Sequence, residues 1–320
     1  MQKGYVAAVD IGSSNIKALV VKKKHKSFEL INKININYRS FDYQKYYDID
    51  TEREIYYKYF DTILENLGNI EAKLPKKTEI KLTFNSLFSN IYLKSYNSKN
   101  LKHAQSIADF YKNKLESEQY KSDKKIISFD KQNQKAEAII FNYDRTVMTN
   151  FKSIVDNLNR KPVSVEFDAL ALANAVYKKD PHKSILLIDL GALKTTYIYH
   201  KDEIIEDLDI IPKGAIHLFQ AVAKKYNISI DSAKERLLSG TLTHRHWDII
   251  LPEIAKKVLK ILKRDKEVRV YLSGSIVGNS IFKHFLQNMI RKSVSVFKPF
   301  HDDSNDFKYS CRYTTCYGLI

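Results

Sequence analysis

Two segments of the chain share one design. Tyr5-Val6-Ala7-Ala8-Val9-Asp10-Ile11-Gly12 is an apolar run that ends in Asp-x-Gly, and Ser184-Ile185-Leu186-Leu187-Ile188-Asp189-Leu190-Gly191 repeats it. Each is followed by a second β-rich run, Ile16 to Val21 and Thr195 to His200. A continuous apolar run bounded by a turn reads as a buried strand, and two such runs around a short polar turn read as a hairpin. A chain that uses this hairpin twice is constrained to two similar α/β lobes. The length of 320 residues fits, being too great for one simple core and comfortable for two or three subdomains.

The segments between and after the hairpins supply the rest. Asp50 to Leu67 has helical spacing, with Ile55, Tyr59, Ile63 and Leu67 on one stripe. Ile80 to Phe84 and Ser89 to Leu93 read as strands, Leu101 to Leu115 as a helix, and Ile126 to Phe129 and Ala136 to Phe141 as strands. Val147 to Leu158 reads as a helix before a strand around Val163 to Val165. The expected organisation is a first lobe of residues 1–83 and 144–182, an inserted α+β subdomain of residues 84–143, and a second lobe of residues 183–320. In that second lobe, helices are expected over Gly214 to Tyr226, Ser232 to Leu238 with Asp231 as N-cap, Leu251 to Lys263 and Ser280 to Ile290, with a buried strand over Val268 to Leu272.

Composition excludes several classes. An apolar fraction of 44% with 21 Tyr and 16 Phe rules out global disorder. Two cysteines, Cys311 and Cys316, rule out a disulfide framework and a four-cysteine zinc site. They flank an expected strand and read as packed thiols, which fits a reducing cytosol. No stretch reaches the roughly 18 apolar residues of a membrane span, and Met1 to Tyr5 lacks the apolar core of a signal peptide. The net charge of +16 comes with Lys spread along the whole chain, no arginine-rich arm and no nucleic-acid motif, so no nucleic-acid partner is expected. His244, His246 and Trp247 sit in a polar loop with too few ligands for a metal site. The Tyr-rich stretch Tyr38 to Tyr59 reads as amphipathic packing.

The chemistry concentrates in four places. In Asp10-Ile11-Gly12-Ser13-Ser14-Asn15-Ile16-Lys17 a strand ends in a carboxylate and turns through Gly and small polar residues. Gly lets backbone N–H groups approach phosphate oxygens, and Asp10 can hold Mg²⁺ through water. An ordinary hairpin turn explains the segment equally well when taken alone. Asp189-Leu190-Gly191-Ala192-Leu193-Lys194-Thr195-Thr196 supplies a second carboxylate, a second tight turn and two hydroxyls. Two such turns can clamp a polyphosphate from both sides. Val270-Tyr271-Leu272-Ser273-Gly274-Ser275 is a buried strand with a small-residue turn that can offer flat backbone to an adenosine. Asp231 to Leu237 is a helix start carrying Lys234 and Glu235, which by itself reads as a solvated helix face.

The order of these four segments resembles the superfamily of actin, hexokinase and the heat-shock chaperone ATPases, from about Tyr5 to Leu319. Within it the chain is similar to the branch holding the cell-division protein FtsA and the type IV pilus assembly protein PilM. The resemblance implies an actin-like (ribonuclease H-like) α/β fold of two lobes with a small inserted α+β subdomain, and ATP with Mg²⁺ in the cleft. It implies a first phosphate turn of Asp10, Gly12, Ser13, Ser14 and Asn15, with Lys17, and a second of Asp189, Gly191, Ala192, Thr195 and Thr196. Lys194 either touches phosphate or points into solvent. By the same resemblance Gly214 is a nucleotide-side Gly, Lys234 and Glu235 border the adenine and ribose, and Gly274 and Ser275 belong to the adenosine turn. Asp10 and Asp189 would hold Mg²⁺ through water.

Hydrolysis needs an oriented water, which Glu166 or Asp189 could provide, although Glu166 reads equally as a structural carboxylate. Slow ATP turnover at most is implied. Asp189-Leu190-Gly191-Ala192 and the segment Val163 to Leu172, with its Glu166, look like PilM, where Phe167 replaces the usual Pro. Ser275 and Ile276 stand where the superfamily prefers Gly. The chain ends at Tyr317-Gly318-Leu319-Ile320 without the amphipathic helix of FtsA, which favours the pilus branch. The resemblance therefore implies a cytoplasmic scaffold of a type IV pilus, type II secretion or DNA-uptake assembly. It would capture the cytoplasmic tail of an inner-membrane protein near residues 84–143, touch the membrane only indirectly, and could self-associate into dimers or filaments. The alternatives are an FtsA-like filament tethering a tubulin-like polymer, a small-molecule kinase, and a degenerate member that does not hydrolyse nucleotide.

Overall fold

The computed structural model describes residues 4–25, 27–37, 60–85, 89–180, 183–202, 204–239, 241, 249–274, 277, 280–299 and 311–320. The expectations for Tyr38 to Tyr59, for His244, His246 and Trp247, and for Ser275 and Ile276 lie outside these residues.

The two Asp-x-Gly runs form β1 (Tyr5–Ile11) and β9 (Ile185–Leu190), and each hairpins into the next strand, β2 (Asn15–Lys23) and β10 (Thr195–Lys201). β3 (Phe28–Asn37) and β11 (Ile204–Ile211) extend the hairpins. On the other edge come β4 (Thr78–Phe84) and β8 (Ser164–Phe167) in one sheet, and β12 (Arg269–Ser273) and β13 (Val294–Val296) in the other. The resulting orders, β3-β2-β1-β4-β8 and β11-β10-β9-β12-β13, are the same arrangement of antiparallel and parallel pairs. The match extends to irregularities. The β2–β3 ladder slips between Val20 and Val21, and the β10–β11 ladder slips between Tyr199 and His200, the same distance from the turn in each lobe. The parallel strands carry apolar residues on both faces because helices cover them.

A third, antiparallel sheet, β5 (Ser89–Asn97), β7 (Lys135–Asp144) and β6 (Tyr120–Asp130) in the order β5-β7-β6, falls between β4 and β8 in the chain. Helix α2 (Leu101–Leu115) covers it, burying Ala108 on Ala138 and Ile140. Asn100 caps this helix, its side chain accepting from the His103 N–H at 2.8 Å. An aromatic cluster ties the third sheet to the first: the rings of Phe141 and Phe167 stack at 4.0 Å, and Phe84 meets Phe167 and Phe151 edge to face. Phe167 is thus a packing residue.

The remaining helices are α1 (Phe60–Ala72), α3 (Arg145–Asp156), α4 (Asp168–Lys179), α5 (Ala215–Tyr226), α6 (Ile230–Leu238), α7 (Leu251–Arg264), α8 (Ser280–Ile290) and α9 (Thr314–Leu319). Two expectations are corrected. The cap of α6 is Ser229, whose Oγ accepts from the Ser232 N–H at 3.1 Å, and Asp231 lies inside the first turn. The cysteines flank no strand; Cys316 sits in α9, and both thiols are buried and free. α9 lies on α4, β1 and β2. A Cβ at Gly318 would run into the carbonyl of Ala171 on α4, so only glycine permits this approach. Among the described residues no helix is long and apolar enough to cross a membrane.

Candidate functional site

The ends of β1 and β9 face each other. In the first lobe Asp10 stands directly opposite Lys17 on β2, and its Oδ2 accepts from Lys17 Nζ at 2.9 Å. Its Oδ1 accepts from Thr83 Oγ1 at 3.0 Å at the end of β4, and Thr83 Oγ1 in turn accepts from the Ile11 N–H at 3.1 Å. In the second lobe Asp189 stands opposite Thr196 on β10, and its Oδ1 accepts from Ser273 Oγ at the end of β12. The rows Lys17–Asp10–Thr83 and Thr196–Asp189–Ser273 are therefore structural counterparts. In both, a hydroxyl on the neighbouring parallel strand holds the carboxylate. The turns match as well: the Gly12 N–H donates to the Asn15 carbonyl at 3.0 Å, and the Gly191 N–H to the Lys194 carbonyl at 2.9 Å.

Burial sets the charges. Lys17 and Asp10 are both nearly enclosed. Burial alone would lower the Lys17 pKa, yet the negative charge of Asp10, joined by that of Asp189, drives it above its ordinary value. Burial raises the Asp189 pKa, with the hydroxyl of Ser273 and the charge of Lys17 opposing. These mutual effects place Asp10, Lys17, Asp168 and Asp189 within electrostatic reach of one another across the cleft.

The other expected residues fall as follows. Lys194 does not point into solvent; it is buried, and its Nζ lies 2.6 Å from Oδ2 of Asp168, the first residue of α4. Ser13 is buried and its Oγ accepts from Asn85 at 3.0 Å, and Asn15 donates to Asn35 at 2.8 Å, while Ser14 is half-buried. The carbonyls of Gly191 and Ala192 accept from the first N–H groups of α5, those of Ala215 and Ile216, each at 3.0 Å. Gly214 packs against this turn so closely that a Cβ would strike the Ala192 backbone. Gly274 has φ +107, and a Cβ there would meet the Leu190 carbonyl, so it needs glycine twice over. Thr195 Oγ1 donates to the Lys213 carbonyl at 2.8 Å. Thr196 Oγ1 is buried with no hydrogen-bond partner among the described residues.

Two groups stand apart. Glu166 shares a row with Thr83 on neighbouring β4, but its carboxylate is 2.6 Å from Lys125 of β6 and joins the inserted sheet to the first lobe. Lys234 and Glu235 lie on α6, and no hydrogen bond or ion pair among the described residues connects them to either turn. Thr83, Asn85 and Asp168 were not anticipated here, and Ser273, expected only as part of the adenosine turn, holds Asp189. The available signal was the hydroxyl that ends both second parallel strands.

This donor set fits phosphate. Near the ends of β1 and β9 stand two glycine turns, two buried ammonium groups each paired with a carboxylate, and the orphaned Thr196 hydroxyl, and an orphaned buried hydroxyl is a place for a ligand oxygen or a bound water. The fit to Mg²⁺ is indirect. Both oxygens of Asp10 are engaged, and no group of three or more candidate ligands is arranged for a metal among the described residues. A Mg²⁺ ion carried by a nucleotide would meet Asp10 and Asp189 through water, and would supply neutralisation of phosphate charge. Glu166 is engaged elsewhere, so of the two candidate water-orienting carboxylates only Asp189 stands at the paired turns.

A concavity of about 550 Å³ lies beside α4. Its walls are β6 from Lys125 to Asp130, the α4 stripe Leu170, Ala173, Asn174 and Tyr177, and the end of the β10–β11 hairpin.

Among solved structures the chain is similar to a PilM–PilN type IV pilus biogenesis complex, with TM-score 0.76 and 13% identity over 99% of this chain and 97% of that one. The fold is actin-like. The actin-like chain is also similar to the ethanolamine utilization protein EutJ from Carboxydothermus hydrogenoformans, with TM-score 0.58 and 13% identity over 100% of this chain and 90% of that one. No family model matches the chain, and no curated protein matches it.

Proposed function

We propose that the protein is an actin-like cytoplasmic scaffold of an inner-membrane type IV pilus or related secretion or DNA-uptake assembly. It binds ATP with Mg²⁺ between the turns at Gly12 and Gly191 and captures the cytoplasmic tail of a membrane partner in the groove beside β6. The observation that carries this reading is the likeness to a PilM chain solved with PilN, which spans nearly the whole of both chains. The groove supports it physically. β6 is an edge strand of its sheet, and an extended tail can pair with such an edge while apolar side chains reach Leu170 and Ala173. Contact with the membrane is through the partner.

The test has two arms. Titration with fluorescent ATP, with and without Mg²⁺, should saturate for the wild type and weaken at least tenfold for Lys17→Ala. A photo-crosslinker at Phe129 should label the cytoplasmic tail of an inner-membrane protein, and labelling confined to soluble proteins would sink the partner reading. A second reading, a scaffold that does not hydrolyse nucleotide, is favoured by Lys17 sitting on Asp10. Measurable phosphate release that is lost in Asp189→Asn would overturn it. FtsA-like filaments on a lipid monolayer would revive the division-protein alternative.

A further inference from the structure

The cleft and the groove are built on the same two elements. α4 begins at Asp168 and presents Leu170, Ala173, Asn174 and Tyr177, spaced as one helical stripe, to the groove. β10 begins beside Lys194 and ends at His200 and Lys201, where its hairpin with β11 forms the opposite wall. At the cleft end Lys194 Nζ holds Asp168 Oδ2 at 2.6 Å. At the groove end the rings of Tyr177 and His200 meet edge to face at 5.9 Å. Helical rise separates Asp168 from Tyr177 by about 14 Å, and strand rise separates Lys194 from His200 by about 20 Å.

We infer that the Lys194–Asp168 pair is a latch through which a polyphosphate in the cleft sets the width of the groove; this rests on the nucleotide reading above. Lys194 is part of the second turn, its carbonyl accepting from the Gly191 N–H. A phosphate in that turn offers the same ammonium several oxygens and more than one negative charge, in a site already shielded from water. The carboxylate left behind sits in the first turn of α4, where the helix dipole stabilises an anion. The exchange of partners therefore leaves neither charge stranded. It does cut the tie between α4 and the turn. Of the seven buried α4 residues four are alanines, Ala169, Ala171, Ala173 and Ala175, which lowers the interlocking that Leu170, Leu172 and Val176 provide against sliding. A rigid helix released at Asp168 moves its stripe at Tyr177, and the tail's groove opens or closes.

The experiment is amide hydrogen exchange on the full chain, with and without Mg·ATP at a concentration that saturates the fluorescent-ATP titration. In the wild type, peptides covering residues 170–177 and 200–205 should change their exchange rate several-fold. In Lys194→Met the same peptides should exchange at the ATP-bound rate without ATP and show no further response. Asp168→Asn, which keeps the shape and a carbonyl acceptor, should behave likewise and carries the test if Lys194→Met does not fold. Saturated ATP binding without any change in these peptides, or an unaltered response in both variants, would overturn the latch while leaving nucleotide binding in place. Failure of the wild type to bind ATP would remove the nucleotide reading and the latch together.

Discussion

Lys17 and Asp10 face each other across the first hairpin, ammonium to carboxylate at 2.9 Å, with side-chain exposures of only 11% and 7%. Antiparallel register puts them opposite, so the pair follows from the turn length as much as from charge. Removing one member leaves the other buried and uncompensated. Lys17→Ala should cost about 3–5 kcal/mol in denaturant unfolding, whereas Lys17→Met combined with Asp10→Leu should recover most of that loss. Equal destabilisation in the single and double variants would show that the charge pair is not the cause.

Thr83 serves two partners at once, accepting from the Ile11 N–H and donating to Asp10. Thr83→Val keeps the volume and leaves a buried donor and acceptor unmatched, at about 1–3 kcal/mol each. Thr83→Ser should restore most of the stability. If valine were tolerated, the row through β4 would have no structural role.

Gly318 opposes two principles. Alanine is the better helix former by about 1 kcal/mol. At this position, however, its Cβ would land in the Ala171 carbonyl. Backbone cannot yield as a flexible side chain can, so Gly318→Ala should destabilise by about 1–3 kcal/mol and loosen α9 from α4. A rise in melting temperature would contradict the packing.

Lys178 donates to the carbonyls of Tyr317 and Gly318 at the end of α9, and burial, reinforced by the charge of Lys81, lowers its pKa to about 8. The folded pKa lies below the unfolded one, so the unfolded chain binds the proton more tightly and the ammonium form disfavours folding. That penalty is full below about pH 8 and fades as pH rises toward 10.5. Relative to Lys178→Met, the wild type should therefore gain stability over this interval, by about 1 kcal/mol after allowing for partial exposure. The opposite shift at Lys17 operates only above its ordinary range and cancels in this comparison. Parallel stability curves for the two proteins would refute the assignment.

Sequence reading went furthest where a residue's environment is local. The two Asp-x-Gly hairpins, the helix Leu101–Leu115 and the helix Ser280–Ile290 are set by apolar runs, caps and period, and they stand where expected. It failed at α9. Thr314-Thr315-Cys316-Tyr317 is rich in β-branched and aromatic residues, a strand-like composition. The segment is a helix because Gly318 lets it dock on α4, and nothing nearby in the chain announces that helix. β11 was missed because Glu206, Asp207 and Asp209 interrupt its apolar residues at a sheet edge. The charge partners of Lys194 and Glu166 were equally illegible: Asp168 is 26 residues from Lys194, and Lys125 is 41 from Glu166.

The sequence by itself determined the duplication: where the paired strands lie, where the glycine turns fall, and which carboxylates end β1 and β9. Period and turn chemistry act over a few residues and can be read along the chain. Only the tertiary structure decided the pairing of charges, Lys17 with Asp10, Lys194 with Asp168 and Lys125 with Glu166. An ion pair depends on which surfaces packing brings within a few ångströms, and that is a property of the assembled sheets and helices rather than of spacing in the chain.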